Sequence, residues 1–199
     1  MISVRGVVID IGGVLVHDRL LDTATRWAGQ LALSPAEILA AVYGGNDDAV
    51  LVGRVSEDEW WEVVRSRLDT DTSALRAELE SGQTWHEDLV AVLREVKSAA
   101  RTAILSNAWP SQRSRMAELE LTDVVHELLL SCEIGCAKPN LDAFKIVLRR
   151  LGTAPEETLF IDDTADHVEA ATTLGICGHV HTTTEETINV ICRFIARES

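Results

Sequence analysis

The 199-residue chain sets 18 Lys and Arg against 32 Asp and Glu, a formal charge of −14, with 46% hydrophobic and 25% charged residues. That balance excludes a disordered or low-complexity chain and suits one large domain, or one core with an inserted subdomain. The negative field argues against nucleic acid and anionic lipid as partners, and no run approaches the twenty or so apolar residues of a membrane span.

The opening Met-Ile-Ser-Val-Arg-Gly lacks the basic-then-apolar order of a signal peptide. The four cysteines, Cys132, Cys136, Cys177 and Cys192, form no CxxC pair. They read as reduced thiols, and a cytoplasmic location is expected. Val7-Val8-Ile9 is a short β-branched run of the kind buried on both faces of a sheet. It stops at Asp10, where Gly12-Gly13 permits a tight turn.

About ninety residues separate this strand from the next, far beyond a βαβ crossover, and they carry helix signals. Ser34-Pro35-Ala36-Glu37 supplies an N-cap, a first-turn proline and a capping-box glutamate for a helix running to Tyr43 and stopped by Gly44-Gly45. Ser56 to Glu59 repeats the box ahead of Trp60-Trp61. These two rings point to opposite sides of their helix, so one can face the core and the other a cleft, although both suit plain packing. A third helix is expected over Ser73 to Glu80, ending at Gly82, and His86 to Lys97 returns the chain to the sheet. Residues 18–85 thus read as an inserted helical subdomain, with 1–17 and 86–199 forming the core.

Further strands follow at Thr102–Leu105, Leu128–Leu130 and Thr158–Ile161, with a weaker one at Cys177–His181. Helical stretches separate most of them, the alternation of a parallel α/β sheet. In such sheets ligands bind beyond the carboxyl ends of the strands. There this chain places Asp10, Ser106 with Asn107, and Asp162 with Asp163. Lys138, one of only three lysines, sits in the loop Cys136-Ala137-Lys138-Pro139-Asn140 just before a helix.

Singly, each of these residues is an ordinary cap, turn or surface charge. Together, three carboxylates and one ammonium leave about −2 in a partly dry space, which is costly unless a cation or proton enters. Mg²⁺ suits that deficit, because it takes few carboxylates, waters and a phosphate.

The ordered set Val7 to Leu15, Leu105-Ser106-Asn107, Lys138-Pro139 and Phe160-Ile161-Asp162-Asp163 resembles the four motifs of the haloacid dehalogenase-like hydrolase superfamily. The inserted helices resemble its small helical cap, and Gly53-Arg54-Val55-Ser56 a common turn of that cap. The resemblance implies a Rossmann-like parallel sheet flanked by helices. It also implies a Mg²⁺-dependent phosphatase of a small phosphorylated metabolite, sugar phosphate-like, working through an aspartyl-phosphate. On it, Asp10 is the nucleophile, and Mg²⁺ is held by Asp10, the Gly12 carbonyl and Asp163, while Asp162 orients Lys138 or outer-shell water. Ser106, the Asn107 N–H, Lys138 and Gly13 hold the phosphate.

One departure matters: the usual motif has a second aspartate two residues after the nucleophile, and this chain has Gly12 there. That aspartate protonates the leaving oxygen and then activates water, help worth ~10² to 10⁴ in rate. His17 and Asp18 lie nearest in sequence but read as hinge or surface residues, and His167, four residues after Asp163, as an ordinary half-exposed histidine. Loss of the acid keeps two other readings open, a metal-independent 2-haloacid dehalogenase and a non-catalytic metabolite- or protein-binding relative. Trp27, Tyr43, Arg54, Trp60, Trp61 and Trp109 are the candidates for substrate contact. Oligomeric state is not legible.

Overall fold

The structure, a computed structural model, describes residues 4–17, 19–43, 48–81 and 84–196. Strands β1 (Gly6–Ile9), β4 (Arg101–Ser106), β5 (Glu127–Leu130), β6 (Thr158–Asp162) and β7 (Cys177–Val180) form one sheet in the order β5-β4-β1-β6-β7. Every pairing in it is parallel. Two short strands, β2 (Val16–His17) and β3 (Thr84–Trp85), pair antiparallel outside it.

Between β2 and β3 run α1 (Leu20–Leu31), α2 (Pro35–Tyr43), α3 (Asp48–Leu51), α4 (Glu57–Leu68) and α5 (Ser73–Ser81). The remaining helices flank the sheet: α6 (Glu87–Val96), α7 (Ser111–Glu118), α8 (Ser131–Ile134), α9 (Leu141–Leu151), α10 (Ala165–Thr172) and α11 (Thr184–Ala196).

Alternation along the central strand sorts the core into two layers, because successive side chains of a strand point to opposite faces. Val7 and Ile9 pack with Leu89, Leu93, Ile191 and Phe194 of α6 and α11. Val8 packs on the other face with Phe144 and Val147 of α9 and Ala171 of α10. Continuous apolar strands are what a sheet covered on both sides requires. The sheet's carboxyl edge is therefore where polar residues can gather.

The helices of the inserted segment form where their caps dictate. At α2 the Ser34 N–H donates to Glu37 Oε2 at 2.7 Å, and the Glu37 N–H donates to Ser34 Oγ at 3.2 Å. Ser56 and Glu59 make the same reciprocal pair at α4. The expected stops at Gly44-Gly45 and Gly82 lie outside the described residues. Sequence reasoning gave no separate place to α1, α3 or the β2–β3 pair. Two residues per strand are too few for periodicity to register.

The segment packs on its own apolar contents. Ala24, Ala28 and Ile38 join α1 to α2, while Val42, Val50, Trp60, Trp61, Val64 and Leu75 form a second cluster that Trp109 joins from the loop after β4. One polar contact and one close backbone approach dock it against the flanking helices. Glu57 is buried and accepts the Ser111 N–H at 2.9 Å, capping α7 from another part of the chain. At Gly53, with φ +69°, an added Cβ would stand 2.2 Å from the Cys132 carbonyl oxygen, so only glycine allows this backbone approach.

Candidate active site

Asp10 stands one residue past β1, its N–H donating to the Ile161 carbonyl at 3.0 Å so that the sheet register carries it to the edge. Its Oδ1 accepts the Ile11 N–H at 2.7 Å and faces Lys138 Nζ at 3.0 Å. Lys138 is 3% exposed and also reaches Asp162 Oδ2 at 2.5 Å. One fully enclosed ammonium thus bridges two buried carboxylates, a placement that is stable only when both charges stay paired.

Asn107 fixes that lysine in a way sequence reasoning missed. Its side-chain amide clamps the Lys138 backbone from both sides, Nδ2 donating to the carbonyl at 2.8 Å and Oδ1 accepting the N–H at 2.8 Å. Ser131 Oγ accepts the Ala108 N–H at 3.0 Å and holds the rest of the loop after β4. Ser106, buried beside Asp10, hydrogen-bonds its carboxylate.

The two members of the acidic pair are used differently. Asp162 is fully enclosed, and besides Lys138 it accepts the Thr164 N–H at 2.9 Å and faces His167 Nδ1 at 3.1 Å. Burial alone would raise its pKa, but the hydrogen bond from His167, the Lys138 ammonium and the Thr164 N–H outweigh burial and hold it at about 2. Asp163 is exposed, and its own hydrogen-bond donor is Thr164 Oγ1 at 3.2 Å. Burial of its inner part and the charges of Asp10 and Asp162 push its pKa up. Asp10 is likewise raised, by burial first and then by Asp162, against the pull of Lys138 and Ser106.

His167 is half-buried, as its sequence position suggested, but it is not a free surface residue. It is a partner of Asp162, reached because the first turn of α10 folds back over the strand end.

Each of Asp10, Asp162 and Asp163 offers a carboxylate oxygen within 4.8 Å of the others. Two of the three are driven toward protonation by burial and mutual repulsion, the condition that a bound dication relieves. With Asp162 committed to Lys138, His167 and Thr164, Asp10 and Asp163 are the pair with capacity left for an ion. Gly13 makes room for Asp163: at its φ of +68° an added Cβ would fall 2.0 Å from Asp163 Oδ2. The residues present fit Mg²⁺.

A cavity of about 300 Å³ opens above this ledge, with Gly12, Gly13, Ser106 and Asn107 among its lining residues. Tyr43, Trp61 and Trp109 of the six candidates for substrate contact line it, and His17 does too. Trp27, Trp60 and Arg54 are not on its wall. Trp27 donates its Nε1 proton to Glu78 at 2.9 Å, and Trp60 donates to the Val42 carbonyl at 3.0 Å. Both paired tryptophans pack in one buried cluster, as the packing reading expected, and Trp61 lines the cavity as well. Gln112 and Arg115 also line the cavity and were not anticipated, since only the course of α7 brings them there. Asp18 lies outside the described residues.

The model of the haloacid dehalogenase-like hydrolase family matches residues 4–175. The chain belongs to that family. It is 29% identical to Phosphatase MT3486 of Mycobacterium tuberculosis over 195 residues, covering 87% of this chain and 85% of that one. It is 27% identical over 197 residues to Bifunctional epoxide hydrolase 2 of Sus scrofa, covering 87% of this chain but 36% of the relative. The chain thus spans little more than a third of the length of its epoxide hydrolase relatives. A solved haloacid dehalogenase family enzyme of Bacteroides thetaiotaomicron, in complex with magnesium and inorganic phosphate, shares the fold with a TM-score of 0.73 at 21% identity, covering 92% of this chain and 96% of that one. Among the described residues no helix is long and apolar enough to cross a membrane.

Proposed function

We propose that this chain is a Mg²⁺-dependent phosphatase of a small phosphorylated metabolite, acting through an aspartyl-phosphate on Asp10. The observation that carries this reading is the buried Lys138 Nζ set between Asp10 and Asp162, with Asp163 beside them, next to Gly12, Gly13, Ser106 and Asn107, which line the cavity. Such a site accepts a group bearing several negative charges, and stabilising that charge is most of what phosphoryl transfer requires. The phosphatase relative and the magnesium and phosphate complex of the Bacteroides enzyme support it.

Asp10 attacks phosphorus, the bond to the ester oxygen breaks, and water later cleaves the acyl-phosphate to return the carboxylate. Lys138 pairs with Asp10 and opposes the charge on the transferred group. Ser106 and the Asn107 N–H donate to the phosphate oxygens, and Gly13 lets the backbone approach them. Asp10, Asp163 and the Gly12 carbonyl would hold Mg²⁺, with Asp162 orienting Lys138. Bound there, the ion neutralises the carboxylates and draws charge from the phosphate. The helices of 18–85 act as the cap that excludes water, over a core of 1–17 and 86–199.

A dehalogenase would use the same Asp10 and needs no acid at position 12, but the acidic pair would repel a carboxylate substrate. Phosphate release from 4-nitrophenyl phosphate separates the two. The expected outcome is turnover that chelator abolishes, Mg²⁺ restores and Asp10→Asn removes. Halide release from 2-chloropropionate, indifferent to chelator, overturns the proposal.

A further inference from the structure

The cavity wall facing the phosphate position is aromatic and crosses from one part of the fold to another. Tyr43 ends α2, Trp61 lies on α4, and Trp109 follows Asn107 by two residues. The Trp61 and Trp109 rings meet edge to face with centroids 5.6 Å apart, and Tyr43 lies tilted against Trp109 at 5.7 Å. These are the spacings at which aromatic rings attract, and a further ring can join them. Trp61 Nε1 is buried with no hydrogen-bond partner among the described residues, unlike Trp60.

The second observation concerns the leaving oxygen. Gly12 lines the cavity, and a Cβ added there meets nothing within 4 Å. Space for an acid exists where the family's aspartate would stand, and no carboxyl fills it. Three glutamates also line the cavity, but each is already engaged. Glu57 holds Ser111, Glu78 holds Trp27 and Arg26, and Glu80 holds Arg76 at 2.8 Å. None of these carboxyls is free to give a leaving oxygen its proton, and His17, the histidine on this wall, is packed edge to face against His86 with ring centroids 5.1 Å apart.

Both observations select the same chemistry. A polyol would turn hydroxyls against indole faces and lose their water, at a cost of about 1–3 kcal/mol for each one left unpaired. A planar ring keeps its contacts, and when the ring carbon bears the ester oxygen the leaving group departs as a stable phenolate. We infer that the substrate is a phosphomonoester of a planar aromatic alcohol, its ring seated against Tyr43, Trp61 and Trp109. This rests on the phosphatase reading and goes beyond it by naming the leaving group. In the step, an Asp10 oxygen–phosphorus bond forms and the aryl oxygen–phosphorus bond breaks. The electron pair leaves on the phenolate, which takes its proton from solvent. Water then attacks the acyl-phosphate and releases inorganic phosphate, restoring Asp10.

The test compares 2-naphthyl and substituted phenyl phosphates with glycerol 3-phosphate and ribitol 5-phosphate on the Mg²⁺-loaded protein, reading kcat/KM because it reports the first chemical step. Aryl esters are expected to exceed alkyl ones by at least ~10²-fold, the low end of what an acid contributes. Within the phenyl series, kcat/KM should rise steeply as the phenol becomes more acidic. Trp61→Leu and Trp109→Leu should raise the KM for 2-naphthyl phosphate about tenfold, and that for glycerol 3-phosphate by a smaller factor. Calorimetric binding of 2-naphthol to the unaltered protein reads the ring site without turnover, and it should be lost in both variants. Alkyl esters turned over as well as aryl ones, with a flat leaving-group series, overturn the inference while the phosphatase reading stands. No turnover of any phosphate counts against the phosphatase reading instead, and 2-naphthol binding then decides the ring site. If the naphthol does not bind, the ring site is refuted.

Discussion

The ledge at the strand ends and the wall above it are built on opposite rules. On the ledge the buried charges are tied down: Lys138 spans Asp10 and Asp162, Asn107 holds the Lys138 backbone, and Thr164 and His167 hold Asp162, with only Asp163 left exposed. The wall is made of rings packed by contact, and it leaves a buried indole N–H without a partner. The difference teaches where precision is spent. Attack on phosphorus demands placed charges, whereas holding an organic group demands a shape with polar positions left over for the ligand.

If that division is right, the ledge should be intolerant and the wall forgiving. The largest effect is expected at Lys138. Lys138→Met keeps the stem's volume but removes the ammonium from two buried carboxylates, so kcat on 4-nitrophenyl phosphate should fall about 10²- to 10³-fold, the loss seen on removing one fixed donor from such a site. A drop below tenfold, measured on protein of unchanged circular dichroism, would mean that Lys138 is structural.

Gly13 tests the ledge more gently. Gly13→Ala places a methyl where Asp163 Oδ2 now stands, at a backbone angle that alanine adopts only with strain. Asp163 must swing aside. The Mg²⁺ concentration for half-maximal activity should then rise about 10- to 100-fold, as when the support of a metal ligand is removed. An unchanged Mg²⁺ titration would exclude Asp163 from the ion's shell.

The two regions also differ in how much of them could be read from the chain. The ledge is legible because each of its members ends a local signal. Val7-Val8-Ile9 stops at Asp10, Thr102 to Leu105 stops at Ser106, and Thr158 to Ile161 stops at the acidic pair. A parallel sheet then brings strand ends together without further instruction. The caps of α2 and α4 are equally local, since Ser34 and Ser56 meet partners three residues on.

What escaped reading depends on distance along the chain. The Asn107 clamp acts across 31 residues, and nothing near Asn107 announces it. His167 is half-buried, as read, but its bond to Asp162 five residues back is not a periodic feature and escaped. Tyr43, Trp61 and Trp109 line the cavity, while Trp27 and Trp60, packed in the same cluster, do not. Composition supplied the rings, and only tertiary packing chose among them.

The adjacent tryptophans give the finest test of that choice. Both are nearly fully buried, so hydrophobic burial alone makes them equivalent. They differ in the indole N–H. That of Trp60 donates to the Val42 carbonyl at 3.0 Å, and the Arg67 guanidinium lies 5.0 Å from its ring centroid. Trp60→Phe strands a buried carbonyl and should lower unfolding free energy by about 1–2 kcal/mol in urea melts, the cost of an orphaned acceptor plus lost contacts. Trp61→Phe removes an N–H with no partner among the described residues, so its cost should be the lost ring area and a weaker contact with Arg76, below about 1 kcal/mol. Its effect belongs instead in substrate binding. Equal destabilisation by the two variants would show that Trp61 packs as Trp60 does, and the wall would then be core rather than site.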